Sequence, residues 1–316
     1  MFAFLPLLVM LLLCLGAVAY FMYAPKLPRP ASFDDVKRCS LQVGERSRDY
    51  LILQPPGSQG PRPVLIVLHG AGQDAQAMRN ATGYAFERLA RERGFIVVYP
   101  QGYHKHWNDA RKTGHFAART ENIDDEQFIG QLIDSLSGEQ LIDDKRVFLF
   151  GYSNGAQMAF RMALNASERL AGIAAVAACL PTEENALVGA RGRAIPVMLV
   201  NGTIDPVNPY GGGEVSLFGF GNRGTVRSSE ETAQFFAARS GAMERPAVTL
   251  ESIYDNDPSK ATLRSWHLEG KAMVELYSIE GGGHVIPQPH GRMPRLLGLK
   301  TSALDSTRRA CDFFGL

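Results

Sequence analysis

A serine, an aspartate and a histidine each follow an apolar run of the chain, in that order. Ser153 stands in VFLFGYSNG between Gly151 and Gly155, Asp205 follows VMLVNG, and His284 follows VELYSIE and three glycines. A serine hydroxyl becomes a strong nucleophile when a histidine takes its proton and a carboxylate orients that histidine. The order therefore predicts nucleophilic catalysis, with Ser153 as nucleophile, Asp205 as acid and His284 as base.

The motif around the serine fits a sharp turn between a strand and a helix. VFLF is typical of a buried parallel strand, and Ala156, Ala159, Phe160 and Ala163 share one face of the helix predicted after it. Glycines on either side of Ser153 allow close approach and a strained backbone, so G-x-S-x-G here predicts a nucleophile elbow. Because 32 of the 316 residues are glycine, a serine in an ordinary tight turn is the alternative.

Two backbone N–H groups must also face the negative oxygen of a tetrahedral intermediate. The residue after the nucleophile, Asn154, is expected to supply one of them, through its backbone more than its side chain. The other is expected from the loop LHGAG after an early strand. The N–H of Ala71 is the first candidate there, and that of Gly72 is the second.

The choice of Asp205 as the catalytic acid has alternatives. An aspartate before a proline, as at Asp205, often only forms a turn. Asp255 and Asp257 are rival acids, but they lie in a polar loop and do not close an apolar strand. His284 after three glycines is harder to explain by packing alone.

The composition limits the partners. The 33 basic and 32 acidic residues nearly balance, which gives no electrostatic reason to expect a nucleic-acid partner. Outside residues 1–24, Cys39, Cys179 and Cys311 allow at most one disulfide, and their spacing does not fit a zinc site. The predicted chemistry requires neither a metal nor an organic cofactor.

Residues 1–24 differ from the rest of the chain. They contain no charged side chain and are long enough to cross a bilayer as a helix. Ala17-Val18-Ala19 resembles a signal-peptide cleavage site, but the basic residues expected before the apolar run are missing. The segment predicts either a signal peptide or a membrane tether. We therefore expect the protein to be exported or membrane-anchored, with the periplasmic or extracellular side favoured.

The remaining chain divides into a linker, residues 25–40, and a catalytic domain, residues 41–316. Strands are predicted to begin at Tyr50, Pro63, Phe95, Arg146, Gly172, Pro196 and Met273. Helical stretches lie between them, notably from Asp124 and from Ser228, and a last helix closes the chain. This alternation predicts an α/β fold with a mostly parallel sheet, helices on both faces, and a site at the carboxyl ends of the strands.

Six blocks of the sequence resemble one known family. They are LHGAGQDA, QGYHKHWND, DDEQFI, GYSNGAQMA, NGTIDPVNPYGG and GGGHVIP, in that order. Over most of residues 45–290 the chain is similar to polyhydroxybutyrate depolymerase-like esterases, relatives of the feruloyl and acetylxylan esterases of the first carbohydrate esterase family. The resemblance implies an α/β-hydrolase fold and a serine esterase that cleaves a small-molecule or oligomeric carboxylic ester through an acyl-enzyme.

The resemblance also implies roles around the pocket. Trp107 is expected beside it, with Gly72 and Tyr152 in contact with the substrate and His69 in support, and Phe218 and Phe220 are further candidates for lining it. Asp124 and Asp125 are expected to begin a helix beneath it. The glycine-rich stretch YGGGEVSLFGFGNRG is either a flap over the site or an ordinary surface loop. An acyltransferase, a peptidase or a membrane-tethered binding protein without activity are the alternative functions.

Overall fold

A computed structural model describes residues 4–24, 27, 35–57, 60–217, 219–251, 259–290, 293–299 and 303–316. Ten strands form one sheet, and two short strands form a second. The strands are β1 (Lys37–Val43), β2 (Arg46–Leu53), β3 (Arg62–Leu68), β4 (Ile96–Pro100), β5 (Ile142–Tyr152), β6 (Gly172–Val176), β7 (Val197–Gly202), β8 (Gly213–Glu214), β9 (Thr225–Val226), β10 (Met243–Glu251), β11 (Lys260–Leu268) and β12 (Lys271–Ile279). The α-helices are α1 (Phe4–Met22), α2 (Ala75–Ala81), α3 (Ala85–Arg93), α4 (Ala117–Thr120), α5 (Asp125–Gly138), α6 (Asn154–Asn165), α7 (Ser229–Ser240) and α8 (Ser306–Phe314).

The large sheet has the order β1-β2-β4-β3-β5-β6-β7-β12-β11-β10. Its six central strands, from β4 to β12, run parallel, and an antiparallel pair flanks them at each end. The seven strands predicted from the sequence correspond to β2 to β7 and β12. The predicted fold class, α/β with a mostly parallel sheet, is confirmed.

Helices cover both faces of this sheet, as strand β3 shows. Its residues Val64, Ile66 and Leu68 belong to a core that also contains residues of α5, α6 and α7. Leu65 and Val67 point the other way and belong to a second core with residues of α2, α3 and α8. All five side chains are fully buried. A continuous apolar run is therefore what a strand covered on both faces requires.

Helix α5 begins at two aspartates, Asp124 and Asp125. Asp124 caps α5, because its carboxylate accepts the N–H of Gln127 at 2.8 Å. Asp125 is fully buried and accepts from the Arg48 guanidinium at 2.6 Å. Both aspartates thus have structural partners at the start of α5, as the sequence predicts.

The N-terminal part differs from its prediction at one boundary. Strand β1 begins at Lys37 and pairs with β2, so the last residues of the predicted linker lie in the sheet. The described side chains of α1 begin at Val9, and those up to Met22 are exposed. In the part of the chain that the structure describes, no helix is both long enough and apolar enough to cross a membrane. The tether predicted through residues 1–24 gains no support from it.

Candidate active site

Ser153 occupies a strained turn between β5 and α6. Its backbone has φ 52° and ψ −113°, in a region that side-chain-bearing residues rarely adopt. A Cβ on Gly151 would overlap the carbonyl of Gly155, and a Cβ on Gly155 would overlap the carbonyl of Leu68. The Ser153 N–H donates to Val176 O at 2.8 Å, which fixes the turn against the neighbouring strand. The two glycines therefore let the helix start close against β3 and β5, as an elbow requires.

The three residues predicted to act together are hydrogen-bonded in a row. Ser153 Oγ lies 2.8 Å from His284 Nε2, and His284 Nδ1 lies 2.8 Å from Asp205 Oδ2. The other oxygen of Asp205 accepts the N–H groups of Val207 and Asn208, at 2.7 and 2.8 Å. An ionised Asp205 accepts the Nδ1–H of His284, which leaves Nε2 free to take the proton of Ser153. The arrangement can therefore activate the serine hydroxyl.

The sheet order explains why these residues meet. Ser153, Asp205 and His284 follow β5, β7 and β12, which lie in one parallel stretch as β5-β6-β7-β12. The carboxyl ends of parallel strands share one edge, so the three loops converge there. Asp205 is 8% exposed and His284 is 5% exposed, so their hydrogen bond is largely shielded from water.

Tyr152 holds the histidine loop. Its hydroxyl donates to the carbonyl of His284 at 2.8 Å, and the two rings lie 5.4 Å apart. The N–H of His284 donates to Leu297 O, which fixes the loop from the other side. Tyr152 also lines the cavity at Ser153. The structure thus gives its hydroxyl a positioning role, in addition to the substrate contact predicted for this residue.

The oxyanion donors can be distinguished by their partners. The N–H groups of Ala71 and Asn154 have no acceptor among the described residues, and both residues line the pocket at Ser153. The N–H of Gly72 donates to Lys105 O at 2.9 Å, so it is already engaged. The structure thus gives Gly72 no role as a donor, and Gly72 does not line either cavity at Ser153. Contact of Gly72 with the substrate stays a prediction.

Asn154 has a side-chain role that its place in the motif does not reveal. Its Oδ1 accepts the N–H of Trp107 at 2.8 Å, and its Nδ2 donates to Trp107 O at 3.1 Å and to Asp109 Oδ2 at 2.6 Å. These bonds hold residues 107–109, the WND loop, against the start of α6. The side chain is 2% exposed. Asn154 therefore joins two segments that are 47 residues apart.

Trp107 lies beneath the site and not on its surface. Its side chain is fully buried, and its indole N–H donates to His69 O at 2.9 Å. Its ring packs against the loop of His69, and a contact of Trp107 with the substrate stays a prediction. Its contribution to the site is to support that loop.

His69 supports the same loop in its neutral form. The Gly102 N–H donates to His69 Nε2 at 2.9 Å, so the ring proton is on Nδ1, where it donates to Gly70 O at 2.9 Å. Burial lowers the pKa of His69 to about 4, since the bond to Gly70 and the charge of Asp74 oppose it only in part. His69 is therefore uncharged at neutral pH and fixes the backbone next to Ala71.

Two adjoining cavities open at Ser153. The larger, of about 200 Å³, is lined among others by Ala71, Tyr152, Val207, Leu217 and Leu297. The smaller, of about 10 Å³, has room for roughly one water molecule. The glycine-rich stretch after Asp205 contributes Val215, Leu217 and Arg223 to their walls. It therefore forms part of the wall of the site, and a role as a flap stays a prediction.

Other predicted pocket residues are not part of this site. Phe220 is 79% exposed and lines neither cavity. Phe218 and the rival acids Asp255 and Asp257 lie outside the described residues. Among the described residues, Tyr152 is the one aromatic side chain of the larger cavity besides the His284 imidazole.

Comparison with known proteins agrees with this fold and site. The model of the phospholipase/carboxylesterase family matches residues 54–217. The protein NocK of Nocardia uniformis subsp. tsuyamanensis, named as an esterase, is 28% identical over 94% of this chain and 88% of its own length. The bifunctional acetylxylan esterase/xylanase XynS20E of Neocallimastix patriciarum is 30% identical over 76% of this chain and 36% of its own length.

Among solved structures, the acetyl xylan esterase from Aspergillus awamori aligns with 88% of this chain and 99% of its own, at a TM-score of 0.56 and 16% identity. This likeness supports the fold. The resemblance to esterases predicted from the six sequence blocks is confirmed. Because the family model covers more than half of the chain, the protein belongs to the phospholipase/carboxylesterase family and is a carboxylic ester hydrolase of the α/β-hydrolase type.

Proposed function

We propose that the protein hydrolyses esters of small carboxylic acids through an acyl-enzyme on Ser153. The row of two 2.8 Å hydrogen bonds that joins Ser153, His284 and Asp205 carries this proposal. It is supported by the backbone N–H groups of Ala71 and Asn154, which have no acceptor among the described residues and can donate to the negative oxygen of an intermediate.

The reaction proceeds in two halves. Ser153 Oγ attacks the ester carbonyl carbon while its proton passes to His284 Nε2, and the carbonyl oxygen becomes an oxyanion held by Ala71 and Asn154. The bond to the alcohol oxygen then breaks, and His284 gives that oxygen its proton. A water molecule attacks the acyl-enzyme with His284 again as base. The acid leaves, and the proton returns to Ser153.

Asp205 stabilises the charged histidine between these steps. Its Oδ2 faces His284 Nδ1 at 2.8 Å, while its Oδ1 is held by two backbone N–H groups. A carboxylate fixed in this way does not need to reorganise when the imidazolium forms. The buried pair therefore lowers the barrier for both proton transfers.

The larger cavity supports a small acyl group. Its volume of about 200 Å³ is below the range of roughly 300–1,000 Å³ typical of sites for drug-sized ligands. Val207, Leu217 and Leu297 supply apolar surface on its wall. Acetyl to butanoyl esters fit this description better than esters of a large aromatic acid.

The proposal is tested with p-nitrophenyl acetate, butanoate and octanoate. We expect wild-type protein to favour the two shorter esters, and Ser153→Ala to lower kcat by about 10,000-fold or more. Ser216→Ala, in the same glycine-rich stretch, serves as the matched control and should keep wild-type activity. A fluorophosphonate probe should label wild type and Ser216→Ala but not Ser153→Ala. Wild-type rates in the Ser153→Ala protein would disprove the mechanism.

We also propose that residues 41–316 contain the whole catalytic unit and that residues 1–24 direct export. The support is compositional, because residues 1–24 carry no charged side chain. Protein lacking residues 1–24 should keep the kcat of the full chain. In cells, the full chain should be recovered outside the cytoplasm and the truncated chain inside it. Equal distribution of both forms would refute the export role.

A further inference from the structure

Arg223 has no partner that accounts for its position. It precedes β9 and lines both cavities, together with Ser153 and His284. Its side chain is half-buried, and no carboxylate or carbonyl among the described residues accepts a hydrogen bond from its guanidinium. The planar guanidinium of arginine matches a carboxylate or a phosphate, which it can bind through two N–H groups. The guanidinium of Arg223 is therefore available to an anionic group of a bound ligand.

The neighbouring charges do not supply that partner. Arg111 is paired with Asp109, and both side chains are buried. The Nε–H of Arg111 donates to Asp109 Oδ1 at 3.1 Å. Asp109 also accepts from Asn154. Burial is the largest cause that lowers the pKa of Arg223, and the positive charge of Arg111 lowers it further. The negative charge of Asp109 acts in the opposite direction. The positive charge at this wall of the site therefore exceeds what Asp109 offsets.

The carboxylate of Asp205 is not a partner either. Its Oδ2 faces His284 and its Oδ1 accepts two backbone N–H groups. Both oxygens are thus already engaged.

A second polar group in the same pocket is also unsatisfied. Gln157 is 1% exposed and lines the smaller cavity beside Arg223 and Ser153. Its Nε2 donates to Cys179 O at 2.7 Å, whereas its buried Oε1 has no hydrogen-bond partner among the described residues. A buried acceptor without a donor destabilises the fold unless a ligand or water satisfies it. The smaller cavity therefore offers a buried acceptor to a hydrogen-bond donor of about the size of a water molecule.

We propose that the ester cleaved at Ser153 carries a free carboxylate, which pairs with Arg223. The substrate class is a half-ester of a short dicarboxylic acid, or an ester whose alcohol part is a short hydroxy acid. The planar guanidinium binds a carboxylate through two parallel N–H bonds. This inference rests on the proposed function of Ser153.

Two pairs of esters test the inference and separate its two forms. Monomethyl glutarate and methyl pentanoate differ by a carboxylate on the acid side. The 3-butanoyloxypropanoate anion and propyl butanoate differ by a carboxylate on the alcohol side. Hydrolysis is followed by pH-stat in wild type, Arg223→Gln, Arg223→Lys and Arg227→Gln. Arg227 is the matched control because it lies nearby but lines neither cavity, with its guanidinium 5.0 Å from the Phe235 ring.

The measured quantity is the ratio of kcat/KM for the charged ester to kcat/KM for its neutral counterpart. In at least one pair, Arg223→Gln should lower this ratio by about 10- to 100-fold, as loss of a charge-assisted hydrogen bond does. Arg223→Lys should retain part of it, and Arg227→Gln should leave it unchanged. The pair that responds identifies the side of the ester that carries the carboxylate.

Two results would overturn the inference. A ratio unchanged by Arg223→Gln in both pairs, with neutral esters still hydrolysed, would remove the carboxylate from the substrate and leave the proposed function intact. Absence of Ser153-dependent hydrolysis of the neutral esters would instead overturn the proposed function. Glutarate gives a check on wild-type protein: it should inhibit hydrolysis of p-nitrophenyl acetate at least tenfold more strongly than neutral glutaramide, and equal inhibition would contradict a carboxylate site.

Discussion

The neutral state of His69 predicts a loss of stability in mild acid. Burial holds the pKa of His69 at about 4, against 6.5 for an ordinary histidine. Between these two values the unfolded chain binds a proton that the folded chain does not, so the free energy of unfolding rises with pH in that window. The contribution of His69 is fully present above about pH 6.5 and is lost as the pH falls toward 4. Replacing His69 with glutamine removes this dependence.

The size of the effect follows from the pKa difference. One pKa unit corresponds to about 1.4 kcal/mol, so lowering the pH from 7 to 4.5 should remove about 2 kcal/mol of wild-type stability through this one residue. The loss has a structural reason, because a protonated His69 can no longer accept the N–H of Gly102. The loop next to Ala71 is then released, and activity should fall with stability.

Urea unfolding of wild type and His69→Gln, from pH 7.5 to pH 4.5, measures the difference directly. His69→Gln should be the less stable protein at pH 7, because the ring packs on Trp107 at 5.0 Å. The gap between the two proteins should narrow by about 2 kcal/mol at pH 4.5. Other groups titrate in both proteins and cancel in the comparison. A gap that stays constant across this range would refute the assignment of a buried, neutral His69.

Three further substitutions have definite expected outcomes. Asn154→Ala removes the three side-chain bonds to the WND loop, and should lower the free energy of unfolding by about 3 kcal/mol; kcat should also fall, while staying far above that of an inactive nucleophile variant. Tyr152→Phe removes the bond to the His284 carbonyl and should lower kcat about fivefold, measured with p-nitrophenyl acetate. Gly151→Ala places a methyl group against the backbone of α6 and should destabilise the fold by about 3 kcal/mol or more, whereas Gly189→Ala, with open space around it, should not. Urea unfolding distinguishes each variant from wild type.

The strands that could be predicted are those buried on both faces. β3, β4, β6 and β7 are nearly continuous runs of apolar residues, because the sheet there is covered by helices on both sides. β10 was missed because nearly all of its residues are exposed at the edge of the sheet. The first four residues of β1 fall in the predicted linker, because polar and basic residues dominate this strand. An exposed strand owes its position to its partner's backbone, which leaves little trace in hydrophobicity.

The candidate site also contains residues that the sequence predicts and residues that it does not. Ser153, Asp205 and His284 could be found because each follows an apolar strand, and the fold brings their loops to one edge. The side-chain bonds of Asn154 to the WND loop could not be found, because no spacing rule connects residues that are 47 positions apart. Arg223 gave no signal at all, since a basic residue in a glycine-rich stretch is typical of any surface loop.

The backbone of Ser153 sets stability against reactivity at a single residue. A conformation with positive φ and ψ −113° typically costs about 1–3 kcal/mol for a residue with a Cβ. Glycine would adopt it almost without strain, so glycine at position 153 should give a protein that melts at a higher temperature and has no hydroxyl to acylate. Selection for thermostability alone would therefore tend to remove the nucleophile, and any screen for hardier variants of this protein has to be coupled to turnover.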